Sequence, residues 1–181
     1  PLAHPVRPES FVEINNFYTL TVYEKGAELV SMIKRLVGDK AYRDALDLYF
    51  NTYDGQAVTI EDWIKVFEDV TKLDLSQFIL WYQQAGTPIL SVSERWENNF
   101  LKLSFHQEIP DTPGQSNKKP HLIPVDVGLL EKKSGAMIHS ENLKVSQTKE
   151  EFVFGPYDER PIPSLLRDFS APVILKQNVD K

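Results

Sequence analysis

Two tyrosines lie five residues apart in the stretch NNFYTLTVYEKGAE, which covers residues 15–28. The second, Tyr23, is predicted to lie in the first turn of a helix, where backbone amides lack partners and the helix dipole is positive. A phenol at such a position can donate a hydrogen bond to an oxyanion. The alternative is a tyrosine that packs against the first helical turn, and the residues alone favour that alternative.

The four histidines do not form a recognisable metal site. His4, His106, His121 and His139 each lack a second histidine or a carboxylate four residues further along a predicted helix, which a two-ligand metal face requires. We therefore expect surface or half-buried histidines rather than ligands. The sequence also lacks the G-x-S-x-G, P-loop and G-x-G-x-x-G motifs, and the segment GAMIH at 135–139 is interpreted as part of a β-hairpin.

The composition is that of an ordinary globular protein, since 41% of the 181 residues are hydrophobic and 25% are charged. This length allows one or two domains with cores of their own. The absence of cysteine excludes disulfides and thiol chemistry, and we expect a cytoplasmic protein. A net charge of −6 without a basic stripe argues against nucleic acid as a partner. No apolar run reaches the roughly 20 residues that span a bilayer, so no membrane partner is expected.

The first half of the chain is predicted to be helical. Thr21 and Glu24 fit a capping box, in which a hydroxyl and a carboxylate satisfy the free amides of a helix start. Apolar residues then recur at helical spacing until Gly38, which is typical of a helix end. A second helix over about 40–51 is predicted to turn Phe50 inward together with other apolar residues.

Two further helices follow. Thr59 and Asp62 are predicted to start the third helix, and Asp74 is predicted to cap a fourth over LSQFILWYQQA, which Gly86 and Pro88 end. The aromatic part of the fourth helix could form a binding platform. A core helix that packs at a domain junction is the favoured interpretation of this segment.

From about residue 89 the pattern changes to short stretches that alternate or run apolar, separated by loops rich in Pro, Gly, Ser and Asn. Five to seven such strands predict an antiparallel β-sandwich. The segment QAGTP at 84–88 is the expected junction. The fold class predicted is therefore α+β in two domains, with helices over 1–87 and a β-sandwich over 88–181.

Four stretches carry a resemblance to a known family. NNFYTLTVYEKGAELVSMI resembles the segment downstream of the zinc site in aminopeptidase N, a gluzincin metallopeptidase, and it is closest to the bacterial alanyl aminopeptidases. DGQAVTIEDWIKVFEDVT and LSQFILWYQQAGTPIL resemble the helices that follow in these enzymes, and FSAPVIL resembles the end of their β-sandwich domain. The resemblance implies the end of a thermolysin-like catalytic domain followed by an Ig-like β-sandwich.

The resemblance also implies roles for three residues. In this family the tyrosine of the V-Y-E-K-G segment helps to stabilise the tetrahedral intermediate that forms when zinc-bound water attacks the N-terminal peptide bond. That tyrosine corresponds to Tyr23, which is therefore expected to be catalytic. Tyr18 and Asn15 correspond to positions that line the same cleft, and they are expected to bind substrate.

The family needs two motifs that this sequence lacks. Zinc is bound by H-E-x-x-H and a downstream Glu, with the motif Glu as general base, and G-A-M-E-N holds the substrate amine. The segment GAMIH lies in the β-rich half and lacks the Glu and the Asn. The chain, which opens with the proline-rich PLAHPVRPES, therefore looks like an internal fragment. No metal ligand is expected in it, and zinc is expected only in the full-length enzyme.

The resulting prediction is a fragment of a zinc-dependent aminopeptidase that removes N-terminal residues, preferably alanine, from peptides. Its partners would be peptide substrates and the rest of the parent chain, and the isolated fragment is predicted to be inactive. The alternative is a stand-alone, non-catalytic interaction module. A carbohydrate-binding sandwich would rest on fold analogy alone. The residues encoded upstream of Pro1 would separate the first two interpretations.

Overall fold

The computed structural model describes residues 4–9 and 13–178, and only the backbone of residue 16. Two short helical turns precede four α-helices in the first half of the chain. They are the 3₁₀ turn Ile14–Phe17, the π-helical turn Thr21–Lys25, α1 Gly26–Val37, α2 Asp39–Tyr53, α3 Ile60–Thr71 and α4 Leu80–Gln83. None of the helices within the described ranges is long and apolar enough to cross a membrane.

Two helix boundaries lie where the sequence predicts them. Helix α1 ends at Gly38, whose φ of 83° is a backbone angle that glycine adopts without strain. The same helix buries one face, on which Leu29 and Ile33 are 0% exposed. Helix α3 begins at a capping box, because Thr59 accepts the Asp62 N–H and the Asp62 carboxylate accepts the Thr59 N–H at 2.9 Å.

Two other predictions about the helices are wrong. Phe50 is 60% exposed rather than inward. Helix α3 packs on the face of α2 that carries Tyr49, and the next residue points about 100° away around the helix. The fourth helix is much shorter than predicted, because the Asp74 carboxylate accepts the Ser76 N–H at 2.9 Å in a local turn. Residues 76–79 then form turns before α4 begins.

The second half of the described chain forms seven strands: β1 Ile89–Glu97, β2 Phe100–Glu108, β3 Ile123–Leu130, β4 Met137–Val145, β5 Lys149–Phe154, β6 Ile162–Ser164 and β7 Ile174–Asn178. They make two sheets, in the orders β5-β2-β1-β7 and β4-β3-β6. The predicted sandwich is confirmed. Its pairs are antiparallel except that of β1 with β7, which is parallel.

Hydrogen bonds join the helical half to the sandwich. The buried Trp81 donates its indole N–H to the Leu122 carbonyl at 2.8 Å. The Gln77 amide donates to the carbonyls of Pro120 and Ser146 at 2.9 and 2.7 Å. The aromatic segment around Trp81 is therefore core at the junction of the two halves, as predicted, and it fixes the helices relative to the strands.

An ion pair adds a second connection between the two halves. Arg35 of α1 lies 2.6 Å from the Asp126 carboxylate of β3 and also donates to the Asp168 carbonyl at 2.5 Å. The side chains of Arg35 and Asp126 are 29% and 25% exposed, so solvent screens this pair less than it screens a pair at the open surface. The helical half is thus connected to the sandwich at both α1 and α4.

Candidate functional site

The two tyrosines noted in the sequence form an exposed pair. The ring centroids of Tyr18 and Tyr23 are 6.2 Å apart, and the ring planes are inclined by 22°. Their side chains are 58% and 59% exposed, and the neighbouring Ile14 and Leu20 are 57% and 70% exposed. Tyr23 therefore lies on the surface against Tyr18, and its ring is open to solvent rather than buried in the core.

Tyr23 lies at the centre of the π-helical turn Thr21–Lys25, which runs directly into α1. The predicted capping box is wrong, because Thr21 lies inside the turn and the cap residue is Leu20. A different threonine forms a hydrogen bond at the start of this turn: the Thr19 hydroxyl accepts the Val22 N–H at 3.3 Å. The Tyr23 N–H is also bonded, to the Thr19 carbonyl at 3.1 Å. Single π-helical turns in other proteins are frequent at functional sites.

Asn15, the third predicted site residue, lies in the 3₁₀ turn Ile14–Phe17. Its carbonyl accepts the Tyr18 N–H at 3.3 Å, so the backbone of the turn leads into the tyrosine pair. Its side chain is exposed. The structure thus brings Tyr18 and Tyr23 into ring contact and joins Asn15 to them through the backbone.

This surface can supply hydrogen bonds and aromatic contacts. The Tyr23 phenol can donate to a developing oxyanion, and the Tyr18 ring can pack against an apolar side chain. Over residues 4–9 and 13–178, no group of three or more His, Asp or Glu side chains is placed to hold a metal ion. The tyrosine pair therefore needs other groups to activate a nucleophile for attack on a carbonyl.

The histidines differ in their surroundings. His106 lies exposed on β2, and His139 lies on β4, 3.2 Å from the Glu141 carboxylate. The segment GAMIH enters β4 from the turn after β3, which confirms the predicted hairpin. His121 was expected to be a surface or half-buried residue, and this prediction is wrong, because it is 1% exposed in the loop before β3.

His121 is buried among aromatic, amide and basic groups. Its ring centroid lies 4.4 Å from that of Trp81, and its Nε2 lies 3.4 Å from the amide nitrogen of Gln84. Its backbone is bonded on both sides by the Gln107 side chain, at 2.8 and 3.0 Å. Burial, reinforced by the charge of the nearby Lys25, lowers the pKa of His121 to about 3.

This burial predicts a pH dependence of stability. Below the ordinary pKa of 6.5 the unfolded chain protonates His121, whereas the folded chain does so only near pH 3. Its contribution to stability is therefore complete above about pH 6.5 and is lost as the pH falls. Between pH 6 and 4 the free energy of unfolding of the wild type should fall by about 1.4 kcal/mol per pH unit more than that of the His121→Gln variant.

The measurement is urea unfolding of the wild type and of His121→Gln at several pH values. The two proteins are compared by the slope of the free energy of unfolding against pH, and not by its absolute value. His106→Gln is the matched control, because the same change is made at an exposed position. The control should retain the wild-type slope. Equal slopes for wild type and His121→Gln would contradict the prediction.

One partly buried charge, that of Lys25, was not predicted from the sequence. The ammonium of Lys25 donates to the Gly86 carbonyl at 2.9 Å and lies 5.5 Å from the centroid of the Trp81 ring. A signal for it exists in the sequence, because Lys25 precedes the buried Leu29 and Ile33 by four and eight residues. This spacing places the lysine on the apolar stripe of its helix.

The chain matches two family models whose ranges together span both halves. Residues 1–82 match the peptidase family M1 domain, and residues 86–178 match a domain of unknown function, DUF3458, with an Ig-like fold. The M1 match thus covers the helical segment that carries the exposed tyrosine pair, and the DUF3458 match covers the sandwich. The chain belongs to the family of this Ig-like domain, whose model matches more than half of it, and its first 82 residues are similar to the peptidase family M1 domain.

Individual relatives agree with this assignment. Over 97% of the chain, it is 42% identical to aminopeptidase N of Escherichia coli and 40% identical to aminopeptidase N of Haemophilus influenzae. The crystal structure of Legionella pneumophila aminopeptidase A in complex with aspartic acid superposes with a TM-score of 0.87 at 32% identity, over 98% of this chain and 20% of that one. The chain spans 21% of the length of the first two relatives.

Proposed function

We propose that this chain is part of a zinc-dependent aminopeptidase that hydrolyses N-terminal residues from peptides, with a preference for alanine. The observation that carries the proposal is the similarity over 97% of the chain to enzymes named aminopeptidase N. The exposed Tyr23 in the V-Y-E-K-G segment supports it. The helical part over 1–87 would complete the catalytic domain, and the part over 88–181 would be a spacer sandwich.

In this proposal Tyr23 acts on the reacting carbonyl. When water adds to the scissile peptide bond, negative charge develops on the carbonyl oxygen, and the Tyr23 phenol donates a hydrogen bond to it. Tyr18 and Asn15 line the same cleft and bind the substrate. The exposure of the Tyr18 and Tyr23 rings supports these roles, because a buried phenol could not reach a bound peptide.

The zinc ion that this activity implies does not fit the residues of this chain. The sequence contains no H-E-x-x-H, and the described residues contain no group of side chains placed to hold a metal. Bound zinc would activate water and polarise the carbonyl. Its ligands, and the groups that hold the substrate amine, would therefore belong to other parts of the full-length enzyme.

The partners proposed are peptide substrates and the rest of the full-length enzyme. The apolar side chains around the tyrosine pair are 57–70% exposed in the described chain, which is typical of a surface that another part of a protein covers. We also propose a cytoplasmic location, for which the absence of cysteine is the support.

We predict that the purified chain alone binds no stoichiometric zinc and does not hydrolyse an alanine anilide. The reason is that no ligand set for zinc is present in its sequence. The test combines metal analysis after zinc loading with an anilide assay, and the full-length enzyme serves as the positive control. Stoichiometric zinc together with turnover by the pure chain would contradict the prediction.

The gene upstream of the codon for Pro1 tests the parent activity. We expect it to encode G-A-M-E-N and then H-E-x-x-H with a downstream Glu. The expressed full-length protein should then release N-terminal alanine from peptides, and it should release alanine faster than it releases bulky N-terminal residues. A start codon directly upstream would instead support the stand-alone interaction module, and the search would turn to its binding partners.

A further inference from the structure

Tyr23 and Lys25 belong to the same π-helical turn but have different surroundings. The Tyr23 side chain is 59% exposed, while the Lys25 side chain extends to the Gly86 carbonyl and the buried Trp81 ring. Only one residue separates them in the chain. A contact that fixes Lys25 therefore also restricts the backbone from which Tyr23 projects.

The position of Lys25 is costly for a lysine. Among the described residues, its ammonium has a carbonyl and an aromatic ring as partners and no carboxylate. Burial, with the nearby Lys118 as a second cause, lowers the pKa of Lys25 to about 8. A methionine would fill a similar volume without the desolvation of a charge. The retained charge therefore points to a role other than packing.

The acceptor of this bond lies at the junction between the two halves. Gly86 has a φ of 92° and directly follows Ala85, whose carbonyl accepts the Lys118 ammonium at 2.9 Å. Lys118 comes from the loop between β2 and β3, where it also donates to the Pro110 carbonyl and the Thr112 hydroxyl at 2.7 and 2.8 Å. Two lysines from different halves thus hold two consecutive carbonyls of the junction.

We propose that Lys25 is a positioning residue for Tyr23, because its bond to the Gly86 carbonyl fixes the π-helical turn against the junction with the β-sandwich. The sandwich is then a rigid support that holds the oxyanion donor in place, and not only a spacer. This inference rests on the proposed function, since it requires Tyr23 to act on the substrate.

The test is Lys25→Met in the full-length enzyme, which removes the donor and keeps a side chain of similar length. Small displacements of a catalytic group can cost up to about 100-fold in rate, so we expect kcat to fall by about 10- to 100-fold. KM should change by less than about twofold, because ground-state binding is retained. Lys25→Arg should recover most of the lost kcat, since a guanidinium can also donate to the carbonyl and stack on the ring.

Lys34→Met is the matched control, because Lys34 is an exposed lysine in the last turn of α1 that forms a surface ion pair with Asp39. It should leave kcat unchanged. The thermal stability of Lys25→Met should equal or exceed that of the wild type, since the change removes a partly buried charge that has no carboxylate partner among the described residues. A purely structural role predicts instead that stability and kcat fall together, and that result would overturn the proposal.

The double variant Tyr23→Phe with Lys25→Met completes the test. If Lys25 acts through Tyr23, the double variant should have a kcat no lower than that of Tyr23→Phe alone. Losses of kcat that add in the double variant would overturn the proposed role of Lys25 but not the proposed function. An unchanged kcat in Lys25→Met, with a low kcat in Tyr23→Phe, would have the same consequence. A full-length protein without aminopeptidase activity, or with a fully active Tyr23→Phe, would overturn the proposed function itself, and this inference with it.

Discussion

Replacement of Tyr23 by phenylalanine in the full-length enzyme is expected to lower kcat by about 100- to 1,000-fold. The change removes only the phenolic oxygen. The ring can keep its stacking contact with Tyr18 at 6.2 Å. Because the lost hydrogen bond would form mainly in the transition state, KM should change little. Steady-state kinetics with an alanine anilide give both constants.

Tyr18→Phe is the matched control for this prediction, because it removes the same group from the other ring of the pair. Tyr18 is proposed to bind substrate and Tyr18→Phe keeps its ring, so any loss of activity should be small and should affect KM at least as much as kcat. The same result is expected for substitution of Asn15. If Tyr23→Phe is as active as the wild type, the tyrosine is only a packing residue and another group must stabilise the oxyanion.

Trp81→Ala should lower the free energy of unfolding of the chain by about 3–5 kcal/mol, the usual cost of truncating a buried tryptophan to alanine. Trp81 is 0% exposed and lies where the helices meet the sandwich. Its removal also leaves the Leu122 carbonyl without its donor. Urea unfolding followed by circular dichroism is the appropriate measurement, because the mutation removes a fluorescent residue.

Phe50→Ala is the control for this truncation. Phe50 is 60% exposed, so the change should stay within about 0.5 kcal/mol. The loss of unfolding free energy in Trp81→Phe should lie between the losses in Phe50→Ala and Trp81→Ala, because it keeps a buried ring and loses the indole hydrogen bond. Equal stability of Trp81→Ala and wild type would mean that the two halves do not depend on this contact. Unfolding of the two halves in separate steps would support the same conclusion.

The proposed roles of Trp81 and Lys25 connect stability to function. Trp81 packs against His121 and lies beneath the Lys25 ammonium, and Lys25 lies two residues after the proposed oxyanion donor. The junction between the halves is therefore expected to influence catalysis although it contacts no substrate. Mutations there should be sorted by whether they change stability, kcat or both.

Several features of the fold could be predicted because they depend on a few neighbouring residues. Gly38 ends α1 through its own backbone angle, and Thr59 and Asp62 start α3 through bonds to each other. The strand periodicity likewise predicted the sandwich. Local signals also misled, since Asp74 caps a turn rather than a long helix, and Thr19 rather than Thr21 serves the turn of Tyr23.

The sequence by itself indicated the similarity to aminopeptidase N, through the V-Y-E-K-G segment and the stretches that follow it, and it determined that these 181 residues contain no H-E-x-x-H zinc motif. Only the tertiary structure decided which side chains are buried. It turned Phe50 outward, enclosed His121, paired β1 with β7 in parallel and placed Lys25 against the junction. The physical reason is that backbone conformation is set largely by neighbours in the chain, whereas burial depends on which distant elements pack together.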